Sequence, residues 1–192
     1  MTRQSSEKLL NLLSAEGDND TIITKMPMRL LGNTGLQVSI LSFGFWATFG
    51  AKDDLKDKNG LSKAKEILHL CRINGINYFE NAESYGSPRG AAEEIMGKAI
   101  KSLRMEYPNY WQRSQIIIST KIFWGFNGYE NQIGLSRKHI IEGVDASLKR
   151  LQLSYVDLVF CHRPGECKFA MLNIQTTRDL FSKRILRTFK IL

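Results

Sequence analysis

The sequence of 192 residues lacks the features that would place it at once in several large classes of protein. It has only three cysteines, an odd number without the spacing of a disulfide framework, which favours a reducing compartment. No stretch approaches the roughly 20 apolar residues of a membrane span. Residues 1–20 lack the apolar core of a signal peptide. We therefore expect a cytoplasmic protein without a membrane span.

Sequence motifs for metal and for common nucleotide folds are also missing. Cys161 and Cys167 flank His162, but no Cys-x-x-Cys pair or second histidine completes a tetrahedral set, so we expect no metal site. No Gly-x-Gly-x-x-Gly motif and no Walker-type phosphate loop occurs, which disfavours a Rossmann or P-loop fold.

The positive charge is concentrated in the C-terminal tail. The formal net charge is +8, and residues 167–192 hold six basic residues against one acid. Such a tail can indicate a nucleic-acid or membrane partner, but here apolar residues are interspersed without forming a clean helical face. We favour a poorly packed terminal segment with at most one helix, from about Thr177, and expect no nucleic-acid partner.

Apolar runs alternate with amphipathic helical patterns through the middle of the chain. After a predicted hairpin over residues 28–40, strands are expected at 41–44, 77–79, 116–120 and 156–161, and helices at 61–73, 91–103 and 137–151. Asn74 and Gly75 end the first helix, and Ser136 is a suitable N-cap for the third. This alternation predicts parallel βαβ units.

Reactive side chains follow three of the predicted strands. Tyr85, Lys121 and His162 each lie at or just beyond the carboxyl end of an apolar run. That is where (β/α)₈ barrels place their chemistry, in a fold that typically needs about 250 residues. The sequence therefore predicts an α/β protein with a partial, truncated (β/α)₈ TIM barrel: an N-terminal β-hairpin and about four βα units. Its sheet would have two unpaired edges and an uncovered apolar interior.

Four segments in order resemble the aldo-keto reductase family, and within it the β subunits of voltage-gated potassium channels. They are LGNTGLQVSILSFGFWATFG (31–50), NYFENAESYG (77–86), STKIFWG (119–125) and GLSRKHIIEGVDASLKRLQLSYVDLVFCHRP (134–164). The resemblance implies three regions: residues 1–24 as a flexible arm, 25–166 as a partial NADP-dependent oxidoreductase domain, and 167–192 as a basic tail outside the family.

The resemblance also implies roles for four side chains in carbonyl reduction. Tyr85 takes the role of proton donor, and Lys121 lowers its pKa, since a tyrosine with an ordinary pKa near 10 donates poorly at neutral pH. Glu80 holds the lysine and His162 orients the carbonyl. The family has aspartate at the position of Glu80, and the channel branch usually has asparagine at that of His162. Both are departures.

The cofactor implied by the resemblance is NADPH. Gly44, Phe45 and Trp46 occupy the place of the family's Gly-Thr-Trp, with His162 and Arg163 nearby in the expected site, and Phe45 removes one hydroxyl contact. The family's contacts to the adenosine phosphates come from its last four strands, which we do not find in this sequence. We therefore expect weak NADPH binding and no measurable turnover in this chain.

Three interpretations stay open. The chain is an NADPH-dependent reductase of small aldehydes or ketones, a regulatory β-type subunit that docks on the cytoplasmic domain of a potassium channel, or an inactive fragment. Taken singly, Tyr85, Lys121 and His162 could be a loop aromatic, a solvated charge and a packing residue. The sequence also leaves open whether the family's homo-oligomer forms.

Overall fold

The computed structural model describes residues 26–50, 58–126 and 128–163. The predicted arm (1–24), the tail (167–192) and its helix from Thr177 lie outside the described residues. Within them, the first elements are two short strands, β1 (Met28–Leu30) and β2 (Gln37–Ser39), which pair in antiparallel fashion. The predicted hairpin is thus confirmed.

A parallel sheet of four strands follows in chain order. Its strands are β3 (Phe43–Gly44), β4 (Tyr78–Glu80), β5 (Ile117–Ile122) and β6 (Leu158–Cys161), and each pairs in parallel with the next. Because all four run the same way, their carboxyl ends share one edge of the sheet. The expectation of a partial (β/α) barrel sheet is confirmed.

Three helices connect the strands: α1 (Lys58–Ile73), α2 (Ala91–Glu106) and α3 (Arg137–Leu151). Helix α3 has the predicted bounds, and the Ser136 hydroxyl accepts a hydrogen bond from the His139 amide at 3.1 Å, as an N-cap should. Helix α1 begins three residues before the predicted Leu61, and α2 ends three residues after Leu103. Helix ends without a capping side chain carry little signal in the sequence.

The core lies between the helices and one face of the sheet. Its largest fully buried side chains include Leu68 of α1, Ile95, Met96 and Leu103 of α2, Leu151 of α3 and Ile118 of β5. On the helices these residues recur at the spacing of one helical face. The predicted amphipathic patterns therefore arise from the faces that cover the sheet.

The outer strands of the described sheet are only partly covered. The two residues that end β6, Phe160 and Cys161, are exposed. Neither β3 nor β6 has a second neighbouring strand among the described residues. Within those residues the sheet thus has two open edges.

Candidate active site

The residues that follow the strands are fixed by hydrogen bonds that continue the ladder of the sheet. The amide of Phe45 donates to the carbonyl of Glu80 at 3.1 Å, and the amide of Glu83 donates to the carbonyl of Lys121 at 3.1 Å. The amide of His162 donates to the carbonyl of Ile122 at 3.1 Å. The backbone that carries the side chains just beyond the strands is therefore positioned by the same ladder of hydrogen bonds that joins the strands.

Lys121 lies at the centre of this edge. Its ammonium nitrogen donates to the phenol oxygen of Tyr85 at 2.9 Å and to the carbonyl of Asn81 at 3.3 Å, and it forms an ion pair with Glu80. The three side chains that the sequence predicted for proton transfer are therefore adjacent. The longer glutamate reaches the lysine in the place of the family's aspartate.

Close packing beside this group explains Gly44. A Cβ atom at this position would lie 3.0 Å from a carboxylate oxygen of Glu80. The absence of a side chain on Gly44 therefore leaves room for the carboxylate. Its predicted contact with a cofactor stays a prediction.

Burial shifts both titrating partners away from their charged forms. It lowers the pKa of Lys121 to about 8 and raises the pKa of the Tyr85 phenol above its ordinary value. The direction at Tyr85 is upward, whereas the resemblance implied a lowered value.

His162 completes the group. Its ring lies edge-on to the Tyr85 ring, with centroids 5.5 Å apart. Burial, followed by the charges of Lys121 and Arg163, lowers its pKa, so the imidazole is neutral at pH 7. Its Nδ1 is buried without a hydrogen-bond partner among the described residues. An unsatisfied buried nitrogen beside the phenol is suited to a polar ligand.

The predicted cofactor residues divide into two groups. Trp46 is 71% exposed and its ring stacks 6.1 Å from that of Tyr85, and Arg163 lies over the exposed Trp124 ring at 5.6 Å. Phe45, by contrast, is fully buried against Phe49. Only the backbone of Phe45 can therefore reach a ligand.

Sequence reasoning missed the residues that hold the loop after β5. Arg89 donates to the carbonyls of Trp124 and Gly125, both at 3.0 Å, while Glu83 accepts from the amides of Phe123 and Gly125. The sequence carries no periodic signal for such contacts, because the partners are backbone atoms far away in the chain. Within the described residues, no cluster of histidine, cysteine and acidic side chains could hold a metal ion.

Comparison with known proteins identifies the family of the chain. The sequence profile of the Aldo/keto reductase family matches residues 40–184. The chain belongs to the aldo/keto reductase family. A crystal structure of a protein from Pseudomonas aeruginosa assigned to the aldo-keto reductases has a TM-score of 0.59 and 29% identity, over 80% of this chain and 55% of that one. The partial barrel is thus the family's fold.

The curated relatives of this aldo/keto reductase chain are named as subunits of potassium channels. Proteins of Arabidopsis thaliana and Oryza sativa, each named as a probable voltage-gated potassium channel subunit beta, are 55% and 50% identical to it over 139 residues. A Schizosaccharomyces pombe protein of similar name is 46% identical over 142 residues. The aligned segment is 72% of this chain but only 38%, 38% and 37% of the three relatives. The chain therefore spans well under half of their length.

Proposed function

We propose that this chain carries the proton-transfer group of an NADPH-dependent aldehyde or ketone reductase. The observation that supports the proposal best is the contact of the Lys121 ammonium with the Tyr85 phenol at 2.9 Å, together with the Glu80 ion pair. Reduction of a carbonyl needs a proton for the developing alkoxide. A protonated phenol beside a held ammonium supplies that proton and stabilises the charge.

His162 would orient the carbonyl. It is neutral at pH 7 because its pKa is lowered, so one ring nitrogen can donate a hydrogen bond to the carbonyl oxygen. Its position edge-on to Tyr85 supports a shared ligand. In this assignment Tyr85 moves the proton, Lys121 stabilises the developing negative charge, Glu80 holds Lys121 in place, and His162 fixes the direction of approach.

The described residues fit the nicotinamide end of NADPH. When bound, NADPH supplies the hydride. The exposed Trp46 ring beside Tyr85 offers a flat apolar surface, and the unsatisfied Nδ1 of His162 offers a polar contact. Gly44, the Phe45 backbone and Arg163 would complete this end of the site. The described strands offer no comparable cluster for the adenosine phosphates, so we expect the chain to bind NADPH weakly and to turn over carbonyls below detection.

Saturation-transfer NMR tests this assignment, because it detects weak ligands. We expect transfer from the chain to the nicotinamide protons of NADPH to exceed transfer to the adenine protons. Trp46→Ala should abolish that preference, whereas Tyr129→Ala, which removes another aromatic ring at 68% exposure, should keep it. Dominant adenine signals would contradict the proposed site. Micromolar saturation in a fluorescence titration, abolished by Lys121→Met, would support the site. It would contradict the expected weak binding, because it would show that this chain suffices to bind NADPH tightly.

A β-type channel subunit is the second candidate. The identities of 55% and 50% to proteins named as potassium channel β subunits favour it. In this role the chain would dock on the cytoplasmic domain of a channel, and the odd cysteine count without a framework spacing supports a cytoplasmic location. Within the described residues no helix is long and apolar enough to cross a membrane.

Size-exclusion chromatography with the isolated cytoplasmic domain of a plant potassium channel tests the second candidate. Co-elution with that domain, and not with an unrelated domain of equal size, would support a subunit function. Separate elution at micromolar concentrations would exclude the second candidate, and the reductase assignment would remain as the proposed function.

A further inference from the structure

Glu83 and His139 form a buried pair outside the proton-transfer group. The Glu83 side chain is fully buried and that of His139 is 5% exposed. One carboxylate oxygen of Glu83 accepts from the amides of Phe123 at 2.7 Å and Gly125 at 2.9 Å, and the other lies 3.3 Å from Nε2 of His139. A buried carboxylate needs such partners, since an unpaired one would be strongly disfavoured.

Both ring nitrogens of His139 face acceptors. Nε2 faces the Glu83 carboxylate, and Nδ1 lies 2.7 Å from the carbonyl oxygen of Gly134. The contact with Gly134 is a hydrogen bond and places a proton on Nδ1, since a carbonyl oxygen only accepts. The contact of Nε2 with Glu83 lacks full hydrogen-bond geometry, but a neutral ring would turn the lone pair of Nε2 toward the carboxylate oxygen. The buried charge of Glu83 therefore favours the cationic ring.

The two residues join three parts of the molecule. Residues 123–134 follow β5 and are called the β5 loop. Glu83, in the segment that carries Tyr85, binds the start of the β5 loop, and its own amide donates to the carbonyl of Lys121 at 3.1 Å. His139, in the first turn of α3, binds the end of the loop at Gly134. Both ends of the loop are thus anchored to one ion pair.

We infer that Glu83 and a cationic His139 form a positioning pair that holds the β5 loop, and with it the strand end at Lys121, in place. The pair touches none of the proposed ligand contacts. It acts through the backbone at Lys121, Phe123, Gly125 and Gly134. The loop carries Trp124, so the pair also sets the position of the ring that Arg163 covers.

The electrostatic surroundings agree with a cationic ring. Burial lowers the pKa of His139, but the bonds to Glu83 and to the Gly134 carbonyl, with the charges of Glu83 and Glu142, outweigh it and raise the pKa above 6.5. Burial raises the pKa of Glu83, and its bonds to His139, Gly125 and Phe123 bring it below 4.5. The charge of Glu83 also acts on His162, where it raises the pKa against the larger effects of burial, Lys121 and Arg163.

The directions of these two pKa shifts define the pH range in which the pair stabilises the folded chain. The contribution of Glu83 to stability is present above pH 4.5 and is lost as the pH falls through its lowered pKa. The contribution of His139 is present below pH 6.5 and is lost as the pH rises through its raised pKa. The loop should therefore be held most firmly in weakly acidic to neutral solution.

Nitrogen-15 NMR of the imidazole rings in the full chain tests the inference without any variant. The chain has only three histidines, and loss of a signal in His139→Gln assigns the ring. We expect a titration midpoint above 6.5, so that the form with both nitrogens of His139 protonated predominates at pH 6.5. A midpoint at or below 6.5 would overturn the inference.

Glu83→Gln makes the test sharper. An uncharged amide should return His139 to the neutral form with the proton on Nδ1, because the Gly134 carbonyl still accepts there. The amides of Phe123 and Gly125 should then exchange with solvent about tenfold faster or more. Glu94→Gln, which removes an exposed carboxylate from α2, should change neither readout. An unchanged His139 spectrum in Glu83→Gln would refute the pair.

Two substitutions of His139 separate its two bonds. A glutamine at position 139 can donate toward Glu83, and an asparagine can donate toward Gly134, but neither carries the charge. We expect faster exchange in the β5 loop in both variants, at the Gly134 end for His139→Gln and at the Phe123 end for His139→Asn. Equal exchange to the parent chain in both would contradict a positioning role. These readouts need no cofactor, so they stand apart from the test of the reductase proposal.

Discussion

The ammonium nitrogen of Lys121 lies 2.9 Å from the phenol oxygen of Tyr85, and the two groups titrate in a fixed order. The pKa of Lys121 is about 8, whereas burial raises that of Tyr85 above 10. As the pH rises, the lysine therefore loses its proton first. At neutral pH the pair is an ammonium beside a neutral phenol, which is the state that proton donation requires.

The first prediction concerns the titration of Lys121. We expect a midpoint near 8. Glu80→Gln should lower the midpoint by about one unit, because it removes the carboxylate that favours the charged amine. Carbon-13 NMR of the lysine side chains follows the titration, and Lys121→Met identifies the signal.

Glu80→Asp is the matched control for this measurement. It keeps the charge and installs the residue that the family has at this position, so the midpoint should stay close to that of the parent chain. A parent midpoint near 10.5, the ordinary value, would show instead that Lys121 is solvated and not held between Tyr85 and Glu80.

Those parts of the fold with a local chemical signal could be predicted from the sequence. Helix α3 was placed at both ends because the Ser136 cap and the helical period coincide. Strand bounds differ from the prediction by at most two residues, because a strand end has no cap and pairing depends on the neighbouring strand. The proximity of Tyr85, Lys121, Glu80 and His162 could be predicted, since these residues follow apolar runs and match motifs. Their roles in catalysis stay predictions.

The supporting contacts of the site could not be predicted in the same way. Glu83 and Arg89 bind backbone atoms that lie far away in the sequence, and His139 contacts the equally distant Glu83. Only the fold decides which carbonyl or amide each of them meets. The direction of the Tyr85 pKa shift was also missed, because the burial that raises this pKa depends on the fold.

The second prediction concerns a buried acid beneath the sheet. The fully buried Glu93 side chain accepts hydrogen bonds from Thr120 at 2.6 Å and from Arg150 at 2.7 Å. Arg150→Met should lower the free energy of unfolding by about 3–5 kcal/mol at pH 7, because it leaves a buried carboxylate without its cation. Urea denaturation measures the loss, and Lys149→Met, at an exposed position of the same helix, serves as control.

The pH dependence of that loss has a definite sign. Burial raises the pKa of Glu93 above 4.5 in the folded chain, and removal of Arg150 should raise it further. Below pH 4.5 the acid is neutral in both the folded and the unfolded state, so the penalty disappears. The destabilisation should therefore grow from pH 4.5 towards neutrality. A loss that is constant with pH would mean that Arg150 acts by packing on Phe126, which it covers at 4.2 Å.

The third prediction compares two glycines of the β5 loop. Gly125 has φ of +59° and Gly128 has φ of +73°, a region that residues with a Cβ rarely adopt. A Cβ on Gly125 would overlap the carbonyl oxygen of Gln132, whereas a Cβ on Gly128 would meet nothing within 4 Å. The two positions thus share the backbone strain and differ in the overlap.

Alanine at each position separates these two effects. Gly128→Ala should lower the free energy of unfolding by about 1 kcal/mol, the cost of a left-handed residue with a Cβ. Gly125→Ala should cost about 2 kcal/mol more, because the loop must move away from Gln132. That movement also breaks the bond from the Gly125 amide to Glu83. Urea denaturation of both variants measures the difference, and equal losses would show that the β5 loop yields without resistance.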